Sequence, residues 1–99
     1  MSGWVISPAA ARDLESVVDY ISLEQRQPEA ARRLLDEFME VFDMLAGSPN
    51  AGRVRPELTS AAVRWWRLHR FLIAYEPGKP VRILRVIHGA REIEALVGS

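Results

Sequence analysis

The sequence has no cysteine, so a disulfide framework and a thiolate metal site are excluded. With two histidines and scattered carboxylates we expect no metal site of another kind, and without a glycine-rich phosphate loop we expect no bound cofactor. No apolar run approaches the ~18 residues of a membrane span, and the first residues lack the basic and apolar regions of a signal peptide. These absences predict a cytoplasmic protein without membrane contact.

Length and composition are those of an ordinary globular protein. Of the 99 residues, 48% are hydrophobic and 26% are charged. A chain of this length builds one modest hydrophobic core. We therefore predict a single domain over residues 1–99.

Charge is distributed unevenly between the two halves of the chain. Residues 1–52 contain four Arg and nine Asp or Glu, a net charge of −5, whereas residues 53–99 contain nine Lys or Arg and four Glu, a net charge of +5. Either the basic half forms an electropositive face for an anionic partner, or the two halves attract each other within the fold. Because the total charge is zero, we predict no strong direct nucleic-acid binding by the protein alone.

The first half of the chain carries the signals of a strand and two helices. Residues 4–6 are β-prone, and Ser7 followed by Pro8 favours a helix start, predicting a helix over residues 8–24. Pro28 begins a second helix by the same argument, and Gly47 and Pro49 end it. Both helices carry an apolar stripe at helical spacing. Joined by so short a connection, they are predicted to form an antiparallel helical hairpin.

The second half reads as a loop followed by an antiparallel meander. Residues 48–60 contain several helix and strand breakers, and strands are predicted over 63–68, 71–75 and 81–87. Residues 90–97 could close the chain as a short helix. The predicted fold class is therefore α+β, with the order β-α-α-β-β-β and the helical hairpin packed on one face of a mostly antiparallel sheet.

Three segments of the chain, in this order and at this spacing, resemble the ParE-type toxins of the ParE/RelE toxin–antitoxin superfamily: residues 7–21, 28–58 and 81–96. The run RVIHGARE, residues 85–92, is the most specific of these matches. The resemblance implies a helical hairpin on an antiparallel sheet. It also implies a cognate ParD-like antitoxin with a ribbon–helix–helix DNA-binding part and a C-terminal segment that wraps the toxin, commonly in a heterotetramer. ParE members inhibit DNA gyrase, whereas RelE members cut messenger RNA on the ribosome.

The choice between these two branches depends on the catalytic groups that the chain offers. If the protein is a ribonuclease, the candidates are Arg64, Arg85, His88 and Arg91, and His88 is the sharpest because histidine titrates near neutral pH. However, no tyrosine follows Tyr75, where the resemblance to His-bearing nucleases would require one. We therefore expect a non-enzymatic gyrase inhibitor. A ribosome-dependent endonuclease and a non-toxic antitoxin partner are the alternatives.

Two adjacent tryptophans, Trp65 and Trp66, must face opposite sides of a strand. One is expected to pack on the hairpin, and the other to lie on the open face of the sheet beside arginines, either exposed as an interface residue or covered by another element. An acidic, amphipathic antitoxin segment is predicted to meet Arg64 and Arg67. The full predicted set for antitoxin or target binding is Arg64, Trp65, Trp66, Arg67, Arg85, His88 and Arg91.

Overall fold

The computed structural model describes residues 3–59 and 62–89, and its element order confirms the predicted α+β fold. The predicted short helix over 90–97 lies outside the described residues. The elements are β1 (Trp4–Ile6), α1 (Pro8–Asp19), a π-helical turn (Tyr20–Glu24), α2 (Pro28–Gly47), β2 (Arg53–Val54), β3 (Arg64–Leu68), β4 (Phe71–Glu76) and β5 (Val81–His88). The structure adds the short strand β2 within the predicted loop, and the first predicted helix ends in a π turn.

The five strands form one mixed sheet in the order β1-β5-β4-β3-β2. The N-terminal strand β1 pairs parallel with β5, and every other neighbouring pair is antiparallel. A β-bulge interrupts the pairing of β4 with β5 after Ala74, which lies opposite Arg85. Bulges of this kind re-aim side chains, and here Arg85 reaches α1 on the helical side of the sheet.

Ser7 fixes the start of α1 against the sheet. Its hydroxyl accepts a hydrogen bond from the backbone N–H of Ala10 at 3.0 Å and donates one to the carbonyl of Leu84 at 2.8 Å. Its own N–H donates to the carbonyl of Ile83 at 2.9 Å. Ser7 therefore caps α1, as the Ser-Pro pattern predicts. It also joins the helix to β5, which the pattern does not predict. No helix within the described ranges is long and apolar enough to span a membrane.

The main core lies between the helical hairpin and the sheet. Phe38 and Phe42 of α2 are fully buried, with Phe38 packing edge-on against Phe71 of β4 and Phe42 against Trp4 of β1. Burying each such ring stabilises the fold by roughly 1.5–3 kcal/mol. The other buried members are Ala10, Leu14, Leu45, Ile73, Tyr75, Val81, Ile83 and Val86.

A smaller core on the opposite face of the sheet shows which of the two alternatives holds for the outer tryptophan. Trp66 is half-buried against the hairpin, as one of the pair was predicted to be, and Trp65 lies on the outer face. Yet Trp65 is only 4% exposed, because the segment after β2 packs over it and its indole N–H donates to the hydroxyl of Thr59 at 3.0 Å. The side chain is therefore a core residue rather than an exposed interface residue.

Candidate binding surfaces on the two faces of the sheet

The first candidate surface, here called the helix-side cleft, has a volume of about 780 Å³ and lies between α1 with its π turn and the paired ends of β4 and β5. Apolar and polar residues line it in equal number, and most of its exposed area is apolar. The apolar residues are Val17, Tyr20, Ile21, Leu34, Phe71, Val86 and Ile87, and the polar ones are Asp13, Ser16, Gln25, His69, Arg70, Arg85 and His88. A partner that buries apolar side chains fits this cleft.

The main charges of the helix-side cleft neutralise each other. The Asp13 carboxylate accepts hydrogen bonds from Arg85 Nε at 2.8 Å and Arg85 Nη2 at 3.2 Å. It also accepts the backbone N–H of Val86 at 2.9 Å. This bidentate pairing is geometrically strong, and the Asp13 side chain is only 18% exposed. Arg85 therefore anchors α1 to β5.

The two histidines border the same cleft, and each is held against a neighbour. His69 lies in the β3–β4 turn with a φ of 54°, and its Nε2 contacts the Glu37 carboxylate of α2. His88, the last residue of β5, stacks on the ring of Phe71 with centroids 4.8 Å apart. Within the described ranges, no three metal-ligating side chains converge here or elsewhere.

The second candidate surface, here called the outer groove, is a depression of about 810 Å³ on the sheet face that points away from the helices. Four arginines surround it: Arg53, Arg55, Arg67 and Arg70. Trp65 and Leu72 contribute apolar surface, and Glu57 is the acidic residue among the described lining. Arg70 borders both the outer groove and the helix-side cleft.

Most of the positive charge of the outer groove has no acidic counterpart in the described part of the chain. Arg55 pairs with Glu57 at 3.1 Å. The backbone N–H at Glu57 and the Arg55 side chain both lower the pKa of the Glu57 carboxyl. Arg67 donates from Nε to the His69 carbonyl at 3.0 Å, but no described carboxylate pairs with Arg53, Arg67 or Arg70.

This arrangement decides between the two readings of the charge asymmetry. All nine carboxylates of residues 1–52 lie on α1, the π turn and α2, whereas the outer groove lies on the other side of the sheet. Among the described residues, the ion pairs that join the two halves are Arg85 with Asp13 and His69 with Glu37. Within the described residues the basic half is therefore only partly neutralised, and its outer groove presents an electropositive face.

A buried tyrosine holds the edge of the outer groove in place. The Tyr75 hydroxyl donates to the Pro49 carbonyl at 2.8 Å and accepts the Gly52 N–H at 2.7 Å. Burial raises the pKa of the Tyr75 phenol above its ordinary value. Arg64 Nη1 adds a bond to the Gly52 carbonyl at 2.8 Å. These contacts position the loop that leads into β2.

The residues predicted as a site from sequence are divided between different places. Trp65, Trp66 and Arg67 line the outer groove, whereas Arg85 and His88 line the helix-side cleft. Arg64 lies opposite Tyr75, while His88 lies opposite Phe71, four residues and roughly 13 Å away along β4. The structure therefore does not bring Arg64 and His88 together, and Arg91 lies outside the described residues.

Three arginines of the outer groove, Arg53, Arg55 and Arg70, are absent from the predicted site. The first two fall in the stretch that reads as a loop, and Arg70 in the turn before β4. The alternation Arg53-Val54-Arg55 after Gly52 is the local signal of an edge strand that would have found two of them.

Comparison with known proteins agrees with this architecture, a small α+β domain with a helical hairpin on one face of its sheet. Residues 5–93 match the family described as the ParE toxin of the type II toxin–antitoxin system parDE. The chain belongs to the ParE toxin family. No sequence among curated proteins matches it.

A solved structure described as a chromosomal ParDE TA system from P. aeruginosa is similar to this chain. The two share 28% sequence identity and superpose with a TM-score of 0.70, over 90% of this chain and 97% of the other. The likeness extends over the helical hairpin and the sheet together. The chain is thus a toxin of the type II toxin–antitoxin class.

Proposed function

We propose that this toxin inhibits DNA gyrase by binding it, without catalysing a reaction itself. The observation that carries the binding mechanism is the separation of the basic side chains: Arg64 and His88 lie at opposite ends of β4, and Arg85 is engaged by Asp13. A ribonuclease site needs an acid, a base and cations around one phosphate. The chain belongs to the ParE toxin family, and gyrase is the target that the resemblance to ParE-type toxins implies.

A supercoiling assay with purified toxin and gyrase tests this proposal. We expect inhibition of supercoiling that increases with toxin concentration, together with trapped cleavage complexes. Unchanged supercoiling and no trapped complexes at saturating toxin would exclude gyrase as the target. Growth arrest on expression without an antitoxin is expected in addition, and its absence would favour a non-toxic antitoxin partner.

We also propose that a cognate ParD-like antitoxin, dimeric through a ribbon–helix–helix part, neutralises the toxin in a heterotetramer. The solved relative, described as a ParDE system, supports such a partner. An amphipathic segment would place its apolar residues in the helix-side cleft. Arg70 borders both surfaces, so acidic residues beyond the cleft would reach Arg67.

One aromatic and one aliphatic residue of the π turn give a matched test of the antitoxin interface. Tyr20 lines the helix-side cleft and is 50% exposed, whereas Leu23, 70% exposed, is not among the residues of the cleft. Tyr20→Ala is expected to weaken antitoxin binding at least about tenfold in calorimetry, because tyrosines are frequent binding hot spots. Leu23→Ala should leave the affinity close to wild type, and equal losses would place the interface elsewhere.

The ribosome-dependent ribonuclease is the second candidate, and the position of His88 favours it. This exposed histidine ends β5 and borders the helix-side cleft together with Arg85. Wild type, His88→Ala and Arg85→Ala can be compared in a translation extract. Messenger RNA that stays intact with wild type would exclude this candidate, whereas cleavage lost in His88→Ala would replace the gyrase proposal.

A further inference from the structure

We propose that the outer groove binds the phosphodiester backbone of DNA. Four arginines border this groove, and of these Arg55 alone pairs with a carboxylate of the described residues. Planar guanidinium forks bind phosphate oxygens in pairs, so unneutralised arginines on one face form a phosphate-binding surface. The choice of DNA among anionic partners rests on the proposed gyrase function, which brings the toxin next to DNA.

The strand register places two of these arginines side by side on the same face. Arg53 of β2 lies directly opposite Trp65 of β3, and Arg67 follows Trp65 by two residues. Arg53 and Arg67 are therefore diagonal neighbours, about 7–8 Å apart. Both side chains are exposed, so neither has to break a core contact to meet a phosphate.

The tryptophan on the outer face of the sheet is closed to bases. The indole of Trp65 is covered and donates to Thr59, so it offers no open ring on which a base could stack. Arginine contacts to phosphates position a protein on DNA but carry no sequence information. We therefore expect binding without sequence preference.

The placement of negative charge determines which side of the protein approaches DNA. The nine carboxylates of the first half lie on the helices, on the other side of the sheet from the outer groove. DNA is repelled by that side and attracted by the groove. With a total charge of zero, the affinity should be that of weak nonspecific binding, about 10⁻⁴–10⁻⁶ M at physiological salt. This is consistent with the absence of strong binding that the composition predicts.

The test measures binding of the full chain to a short fluorescent DNA duplex by anisotropy over a series of salt concentrations. Removing two of the four groove arginines in Arg53→Gln/Arg67→Gln should lower the slope of log K against log salt by about 1.8, since each lost phosphate contact contributes about 0.9. Lys79→Gln/Arg82→Gln removes the same charge at the opposite end of the sheet and should leave the slope unchanged. No binding by wild type, or equal effects of the two double variants, would overturn the proposal.

Two further arms keep the result interpretable. Arg53→Lys/Arg67→Lys retains both charges and should retain the salt slope, and urea unfolding of every variant checks that the fold is intact. A glutamate-rich peptide in the same assay tests the other occupant: peptide binding without DNA binding would assign the groove to an acidic protein and overturn the proposal. Because the assay contains no gyrase, a negative supercoiling result would refute the gyrase target and leave this result standing.

Discussion

The helix-side cleft and the outer groove have nearly the same volume, about 780 and 810 Å³, but their arginines are paired differently. In the cleft, the principal arginine is held by Asp13 within an apolar surface. In the groove, three of four arginines have no carboxylate partner in the described part of the chain. A paired arginine mainly anchors the fold, whereas an unpaired one is available to an anionic partner.

The loop that borders the groove is closely packed at Gly52, and a substitution there gives the largest expected effect. A Cβ at this position would come within 2.5 Å of the Tyr75 hydroxyl and 2.8 Å of the Trp65 carbonyl. Gly52→Ala should therefore lower the free energy of unfolding by about 3 kcal/mol, as overpacking does. Urea denaturation measures the loss. Gly47→Ala, with nothing within 4 Å of the new Cβ, is the control and should not destabilise; a similar loss there would refute the packing argument.

The cleft depends on an ion pair, which Asp13→Asn weakens. The amide keeps the shape of the side chain but removes the charge that engages Arg85 and the Val86 N–H. We expect a loss of about 2 kcal/mol in the free energy of unfolding, typical of charged hydrogen bonds. DNA binding by the outer groove should be unaffected. Glu15→Gln on the exposed side of α1 is the control, and an equal loss there would deny Asp13 a special role.

The pH dependence of stability separates a buried tyrosine beside the groove from an exposed tyrosine of the cleft. Tyr75 holds the loop that leads into β2 through Pro49 and Gly52. Because burial raises the pKa of Tyr75, the unfolded chain gives up its phenolic proton first as pH rises past about 10. The stability that this group contributes is thus present below pH 10 and lost above it. Tyr75→Phe should cost about 1.5 kcal/mol at neutral pH and reduce the alkaline loss. Tyr20→Phe removes an exposed phenol and should leave the alkaline loss of stability unchanged. Identical curves of stability against pH for the two variants would contradict the attribution of this loss to Tyr75.

The smallest expected effect is that of Glu57→Gln, which changes the charge of the outer groove alone. Glu57 offsets Arg55 at the groove, and its lowered pKa keeps it ionised to more acidic pH than an ordinary glutamate. Glu57→Gln should therefore strengthen DNA binding severalfold at low salt, with little change in stability. Glu76→Gln, which frees Arg82 away from the groove, is the matched control. Equal gains in both variants would show a general charge effect rather than a local one.

The elements of the fold were predictable from the sequence to a large extent, whereas the candidate site was predictable only in parts. Ser7 and Pro8 start α1, and the breakers after α2 end it, as the local pattern indicates. The strand β2 was missed because its alternating signal, Arg53-Val54-Arg55, is short and lies between the loop-forming residues Gly52 and Pro56. One of Trp65 and Trp66 was expected on the open face without saying which. The structure places Trp65 there, and nothing local shows that Thr59 and its neighbours cover it.

Local rules for caps, stripes and turns act between residues a few positions apart, so the sequence by itself determined the helices, the main strands and the presence of a basic half. Only the tertiary structure decided which charges in that half are neutralised. The partner of Arg85 is 72 residues away, and Arg53 lies beside Arg67 because β2 pairs with β3. Such contacts depend on strand register, a bulge and the packing of the hairpin, which no short stretch of sequence encodes.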